Sequence, residues 1–349
     1  STLMRSSAAS DVYKRQSIIF LKINNLIIRI MEAISSGNSI ENLYLIGNGF
    51  DIHHGIKCKY SDFHEWLCEN NPMLENRLFQ VYDLHHGDLW SSLETNLGEI
   101  TTESILEGYV YSPMMLFINS VAGESIVLNM DDYTENIGEI GYTLERLYND
   151  LQIEFTQWIL QLENADSTQM VKVDKNKTTF ISFNYTQTLE KTYGVPSSSI
   201  LYIHGCAATN DNLIFGHNKT PDELLNGWEN KYSEEELVVL LEAVDEMSIL
   251  YKNVNCVIEQ NTAFWQTLKS IKNIHVWGLS LSEVDMPYIK YISSIINHND
   301  IQWEFSWYSE SDKNRIAEIA VNAGISQYSL VKLGDLISFG HKQLRLFDD

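Results

Sequence analysis

Apolar positions along the chain follow two patterns that alternate. Short segments rich in apolar residues stand at Leu43 to Gly47 (LYLIG), Thr178 to Phe183 (TTFISF), Ile200 to Ile203, Ile274 to Gly278 (IHVWG) and Trp303 to Tyr308 (WEFSWY). The first, an apolar run ending in glycine, predicts a buried strand, and the others read as further strands. Leu213 to Phe215 reads as one further short strand. Between the runs the spacing changes to three or four. Ser61 to Glu69 predicts a helix capped by Ser61, with Phe63, Trp66 and Leu67 on one face. From about 74 to 163 the pattern is mostly helical. Leu144, Leu147, Leu151, Phe155, Trp158 and Leu162 mark a single long amphipathic helix there. Residues 219–272 are helical and acidic, with Glu234, Glu235 and Glu236 opening a helix, where glutamates favour the positive N-terminus. Ser311 to Gly324 predicts a last helix that Gly324 stops.

Strands alternating with helices imply an α/β fold built on a mainly parallel sheet with helices on both faces. The stretch from about 56 to 172 is too long for a simple crossover, so it reads as a large helical insertion after the first strand. A smaller helical insertion covers about 219–272. Residues 1–30 read as a non-native or disordered leader, with the folded domain at 31–349. Ser1 to Gln16 keep no apolar period, and SIIFLKINNLIIRI is broken by Lys22, Asn24, Asn25 and Arg29. That segment is too short and too polar to span a bilayer, so no membrane partner is expected. The rival reading is an amphipathic leader that touches membrane.

Composition narrows the partners. The 349 residues hold 24 Lys+Arg against 47 Asp+Glu, a formal charge of -23. Binding a duplex requires clustered basic residues that displace condensed counterions. The basic residues here are few and scattered, so nucleic acid is not the expected partner and a small molecule or a protein is. Cys58, Cys68, Cys206 and Cys256 are far apart with no C-x-x-C pair. They predict buried packing residues in a reducing, cytoplasmic setting, and no metal.

Four polar motifs stand just past strand ends. IGNGFDIHHG places Gly47, Asn48, Gly49, Phe50 and Asp51 after the first strand. Glycines allow a close approach of backbone to a ligand, and Asp51 suits a ribose hydroxyl or a tie that holds the loop. FNYTQTLE puts Asn184 and Thr186 at the exit of the TTFISF strand, where an Asn amide orients a water or a sugar hydroxyl, or caps the helix near Thr188. ILYIHG puts His204 before Gly205, as a general acid or base or as a core histidine. GLSLSEVD supplies Gly278, Ser280 and Asp285, with a capped helix start as the plainer role. In open parallel sheets ligands bind outside the carboxyl ends of the strands, so four such exits predict one crevice. The 20 positions from Asn184 to His204 fit one crossover between neighbouring strands.

These motifs, with LIFGHN after the IHG, resemble the bacteriophage abortive infection AbiH family from about Leu43 to Tyr308. That family resembles sirtuin-like domains in turn. The resemblance implies a Rossmann-like fold, a role in anti-phage defence, and NAD as a substrate cleaved at the nicotinamide–ribose bond without a metal. It gives Gly47, Asn48 and Gly49 a place facing the dinucleotide. Asn184 would position the ribose and the attacking water, and His204 would act on ribose hydroxyls or as base. Gly278 and Ser280 would lie near the adenosine half. Thr186 departs from the Asp that sirtuin-like enzymes often carry two places after the Asn, and their zinc-binding cysteine pairs are absent. A homo-oligomer and a phage-derived trigger stay open. Two other classes also stay open: a sensor that binds NAD or ADP-ribose without turnover, and a metal-dependent phosphoesterase or nuclease using Asp51, His53, His54, His204, His217 and Asp285.

Overall fold

A computed structural model describes residues 39–82, 88–99, 102–106, 130–162, 165–209, 211–226, 228, 231–296 and 301–337. The leader expected at 1–30 lies outside them. The chain divides into two compact units. The first holds the residues up to Ile56, Asn164–Ile203 and those from Val254 on; the second holds Lys57–Glu163 and His204–Asn253.

The first unit is a sheet of six parallel strands in the order β3-β2-β1-β4-β5-β6. They are β1 (Asn42–Ile46), β2 (Thr178–Ser182), β3 (Ile200–Tyr202), β4 (Asn273–Trp277), β5 (Gln302–Ser306) and β6 (Tyr328–Val331). This is the doubly wound Rossmann-like arrangement, and its strand order reverses between β1 and β4. Leu43 pairs with Thr179 on one side and Ile274 on the other, so β1 is the central strand of the switch. Its residues Leu43 to Ile46 are all buried, as are all five of β2, which explains why both segments read as unbroken apolar runs.

Tyr44, Ile46, Phe180, Trp277 and Phe50 form the core on one side with Leu189 and Tyr193 from the helix Thr188–Tyr193. Tyr44 stacks on Phe180 at 5.3 Å and on His275 at 4.3 Å, tying three adjacent strands through ring contacts. β6 carries no long apolar run. Its first three residues are exposed, as an edge strand paired on one side tolerates.

The second unit is helical in its described residues. Leu144, Leu147, Leu151, Phe155 and Trp158 of the 32-residue helix Met130–Gln161 are buried, as their spacing predicts. Phe155 stacks on Phe215 at 4.6 Å. The helix Glu234–Met247 opens on Ser233, whose Oγ accepts the Glu236 N–H while the Glu236 carboxylate accepts the Ser233 N–H.

Three local expectations are corrected. Leu213 to Phe215 is not a strand. Its Ile214 N–H donates to the His204 carbonyl at 2.9 Å, and Gly216 then turns the chain at φ +141° directly against Leu250. Ser61 is not the cap of its helix, which runs Tyr60–Asn70 with the Asp62 carboxylate accepting the Lys59 N–H at 2.8 Å. The cysteines are not uniformly buried: Cys58 and Cys206 are, but Cys68 is exposed and Cys256 is half-buried.

Candidate functional site

The carboxyl ends of β1, β2 and β4 meet in the first unit. β1 stops at Ile46 and the helix Asn48–His53 begins at once, with Gly47 as its extended N-cap. Three glycines make this crossing possible. The Gly47 N–H donates to the Trp277 carbonyl at 2.9 Å, and the Gly49 N–H donates to the Gly278 carbonyl at 2.7 Å. A Cβ on Gly278 would stand 2.0 Å from the Phe50 nitrogen, and one on Gly47 would stand 2.5 Å from Leu279 Cα. Gly278 also holds φ at +65°, where a side chain is strained. The glycine motif therefore lets two loops pack backbone against backbone, with both of those N–H groups directed to the β4 exit.

Asn184 joins the same junction from β2. It is not the helix cap: the helix Thr188–Tyr193 is capped at Gln187. Its Nδ2 donates to the Gly47 carbonyl at 3.1 Å, and its own N–H donates to the Ser182 hydroxyl at 3.2 Å. Asp51, one turn into the first helix, is 1 % exposed. The Thr186 hydroxyl donates to its Oδ2 at 2.5 Å. Burial pushes the Asp51 carboxyl up from 3.8 to about 6, against hydrogen bonding from Thr186, Thr188 and Asn184 that favours the charged form. Two oxygens in this cluster, Asp51 Oδ1 and Asn184 Oδ1, are buried and accept no hydrogen bond among the described residues.

The remaining sequence candidates are placed as follows. Phe50 is fully buried and packs between His54, Tyr193 and Trp277. Asn48 and Ser280 are exposed beside the glycine junction in sequence, and the Ser280 carbonyl accepts from Arg315 Nη1 at 2.9 Å. Asp285 is buried at the N-cap of the helix Met286–Ile295 and accepts from the Ser282 hydroxyl at 3.4 Å. His204 opens the second segment of the second unit, where it is 2 % exposed and its carbonyl accepts the Ile214 N–H. The structure thus brings together Gly47, Gly49, Asp51, Asn184, Thr186 and Gly278.

Sequence reading missed Thr188, which completes the hydroxyl pair beside Asp51, and Ser306, whose Oγ accepts the Gly278 N–H at 2.8 Å. Ser306 is the last residue of β5, so its position at a strand exit was the available signal. His53 and His54, named for a metal site, are engaged elsewhere. His53 Nε2 donates to the Gln169 carbonyl, while His54 bonds the Phe50 carbonyl through Nδ1 and the Tyr193 hydroxyl through Nε2. Burial holds His54 down to about 4, so it is neutral at pH 7.

A doubly wound α/β domain with its buried polar cluster at the strand-order switch is the class defined by this geometry. The profile of one family, described as bacteriophage abortive infection AbiH, matches residues 43–307, and the chain belongs to that family. No curated protein and no solved structure matches it significantly. No helix among the described residues is long and apolar enough to cross a membrane.

Proposed function

We propose that this abortive-infection protein binds an adenine dinucleotide at the β1, β2 and β4 exits and hydrolyses NAD at its nicotinamide–ribose bond. The observation that carries this reading is the pair of buried acceptors at the switch point, Asp51 Oδ1 and Asn184 Oδ1, which take no hydrogen bond among the described residues. Leaving a buried polar group unpaired costs roughly 1–3 kcal/mol. Both atoms await donors, which ribose hydroxyls and a water supply. The acidic chain favours a small ligand over a polynucleotide.

In the reaction the C–N bond to nicotinamide breaks and nicotinamide leaves neutral with the bonding pair. Water adds its oxygen to the ribose carbon and loses a proton. Asn184 orients the water and a ribose hydroxyl, and Asp51 accepts from a second hydroxyl. The sirtuin-like resemblance gives the proton to His204. A second reading, a sensor without turnover, is favoured by Thr186, which donates a hydroxyl where sirtuin-like enzymes often carry a carboxylate.

The test is nicotinamide release from NAD by the purified chain. Asn184→Ala loses one tether to Gly47 and keeps its fold. Turnover is expected to fall by ~10²-fold or more, the scale of losing a positioned water, and His204→Ala tests the imidazole in parallel. Equal turnover in folded Asn184→Ala overturns the mechanism. NAD or ADP-ribose binding without release selects the sensor, and neither binding nor release removes both readings.

A further inference from the structure

We propose that His64, Cys68 and Glu75 of the second unit form a binding site for a zinc-class divalent cation. One ligand atom from each lies within 4.8 Å of the other two. This inference does not depend on the nucleotide reading, which concerns the first unit.

The placement follows from the helix pair. His64 and Cys68 are four residues apart on Tyr60–Asn70, so they share a face. The chain reverses at Asn71, and Pro72–Tyr82 brings Glu75 back against that face. His64 Nε2 and Glu75 Oε1 stand 3.1 Å apart. Metal bonds of ~2.0–2.3 Å in a tetrahedral shell put adjacent ligand atoms roughly 3.3–3.8 Å apart. The His–Glu edge is therefore nearly set, and a rotation of the Cys68 side chain completes the triangle.

The scaffold holds these groups in place without an ion. The His64 ring stacks on Trp90 at 4.6 Å and 10°, with Phe79 against it at 6.1 Å and 65°. At the turn, Asn71 Nδ2 donates to Glu154 Oε1 at 2.9 Å, and Asn71 Oδ1 accepts the Leu74 N–H at 3.1 Å. Outer partners of this kind fix ligand orientation.

The donor set selects the ion. One imidazole, one thiolate and one carboxylate suit a borderline-soft cation, whereas magnesium and calcium want oxygen alone. Cys68 is exposed, so the fourth position opens to solvent. Burial, then the Glu75 charge, holds the Cys68 thiol up. A dication reverses that balance, because a thiolate and a carboxylate together neutralise it. Binding expels the thiol proton and exchanges the His64–Glu75 hydrogen bond for bonds from both groups to the ion.

Cobalt(II) is the probe. The full chain is stripped with a chelator, dialysed and titrated with cobalt chloride, then with zinc chloride. One equivalent is expected to give visible d–d absorption and a thiolate-to-cobalt charge-transfer band, both removed by zinc. Cys68→Ser should abolish the charge-transfer band. His64→Ala and Glu75→Gln should each weaken zinc by at least ~10-fold, the low end of what even outer partners cost. Circular dichroism confirms that each variant is folded, and the exposed Cys68 supplies the variant least able to unfold the chain. Cobalt binding with no thiolate band, a band that survives Cys68→Ser, or no one-equivalent binding at micromolar cobalt overturns the proposal.

Discussion

Two buried polar clusters sit three residues apart at the start of the first unit, and they are built on opposite terms. Around His54, every polar atom has a partner. Nδ1 donates to the Phe50 carbonyl, Nε2 accepts from the Tyr193 hydroxyl, and that hydroxyl's oxygen accepts the Val171 N–H. Around Asp51, the Thr186 hydroxyl satisfies Oδ2, while Oδ1 and the nearby Asn184 Oδ1 accept nothing among the described residues. Asp51 and His54 are themselves buried alike, so exposure of the central group does not separate them. The difference is completeness. A fully bonded network fixes a fold, and a network with open acceptors is costly to the fold and useful to a ligand.

That contrast is most exposed to refutation at His54. His54→Ala removes a fully buried ring that packs against Phe50 at 4.6 Å and Tyr193 at 5.5 Å. The cavity and the donor stranded on Tyr193 should cost about 4 kcal/mol. Denaturant melts measure this, and nicotinamide release per folded molecule should not change. A drop in specific activity with intact stability would exchange the roles of the two clusters. Tyr193→Phe is the finer probe. It leaves the Val171 N–H and His54 Nε2 unpaired, for about 3 kcal/mol, with no loss of NAD binding. A variant as stable as wild type would show that the network does not hold the fold.

The sequence made much of the sheet legible because burial on both faces writes a strand as an apolar run. β1 and β2 were visible this way, and β3, β4 and β5, where half-buried residues stand among the buried ones, were visible as largely apolar segments. β6 was not, since Tyr328, Ser329 and Leu330 face solvent at an edge. The false strand at Leu213 to Phe215 shows the converse, an apolar run that bonds the His204 carbonyl through Ile214 but joins no sheet among the described residues. Of the strand order only one pair was legible: the spacing from Asn184 to His204 fitted neighbouring strands, and β2 does pair with β3, while the other partners are chosen by tertiary packing. The site divides along the same line. Asn184, Asp51 and Gly278 stood out as polar or glycine residues past apolar runs. Their contacts did not: Asn184 reaches Gly47 across 137 positions and Asp51 reaches Thr186 across 135. The glycines were legible as places of close approach, but the partner turned out to be the β4 loop.

Asp51→Asn gives the smallest expected shift and the sharpest comparison. The folded carboxyl titrates at about 6, above the ordinary 3.8, so between those values the folded chain holds the proton that the unfolded chain has released. Stability from this group is complete below pH 3.8 and is lost as pH rises through 6, by up to about 3 kcal/mol. His54 runs the other way. Its folded value of about 4 lies below 6.5, so its contribution is complete above pH 6.5 and is lost as pH falls through 4. In wild type the two slopes oppose each other across pH 4 to 6. Asn at position 51 removes one of them. The variant should be more stable than wild type at pH 7, by less than the full amount because a bond from Thr186 to a charged oxygen is lost. It should also lose more stability in acid than wild type does, because the loss at His54 no longer meets an opposing gain from position 51. If Asp51 Oδ1 is a ligand acceptor, the same variant binds NAD more weakly, since the amide cannot offer the charge. Greater stability with poorer binding is the mark of a group kept for function. Urea melts at pH 4, 5, 6 and 7, with NAD titrations at pH 7, measure both effects. A variant less stable than wild type at pH 7, with unchanged NAD affinity, would make Asp51 a structural residue like His54.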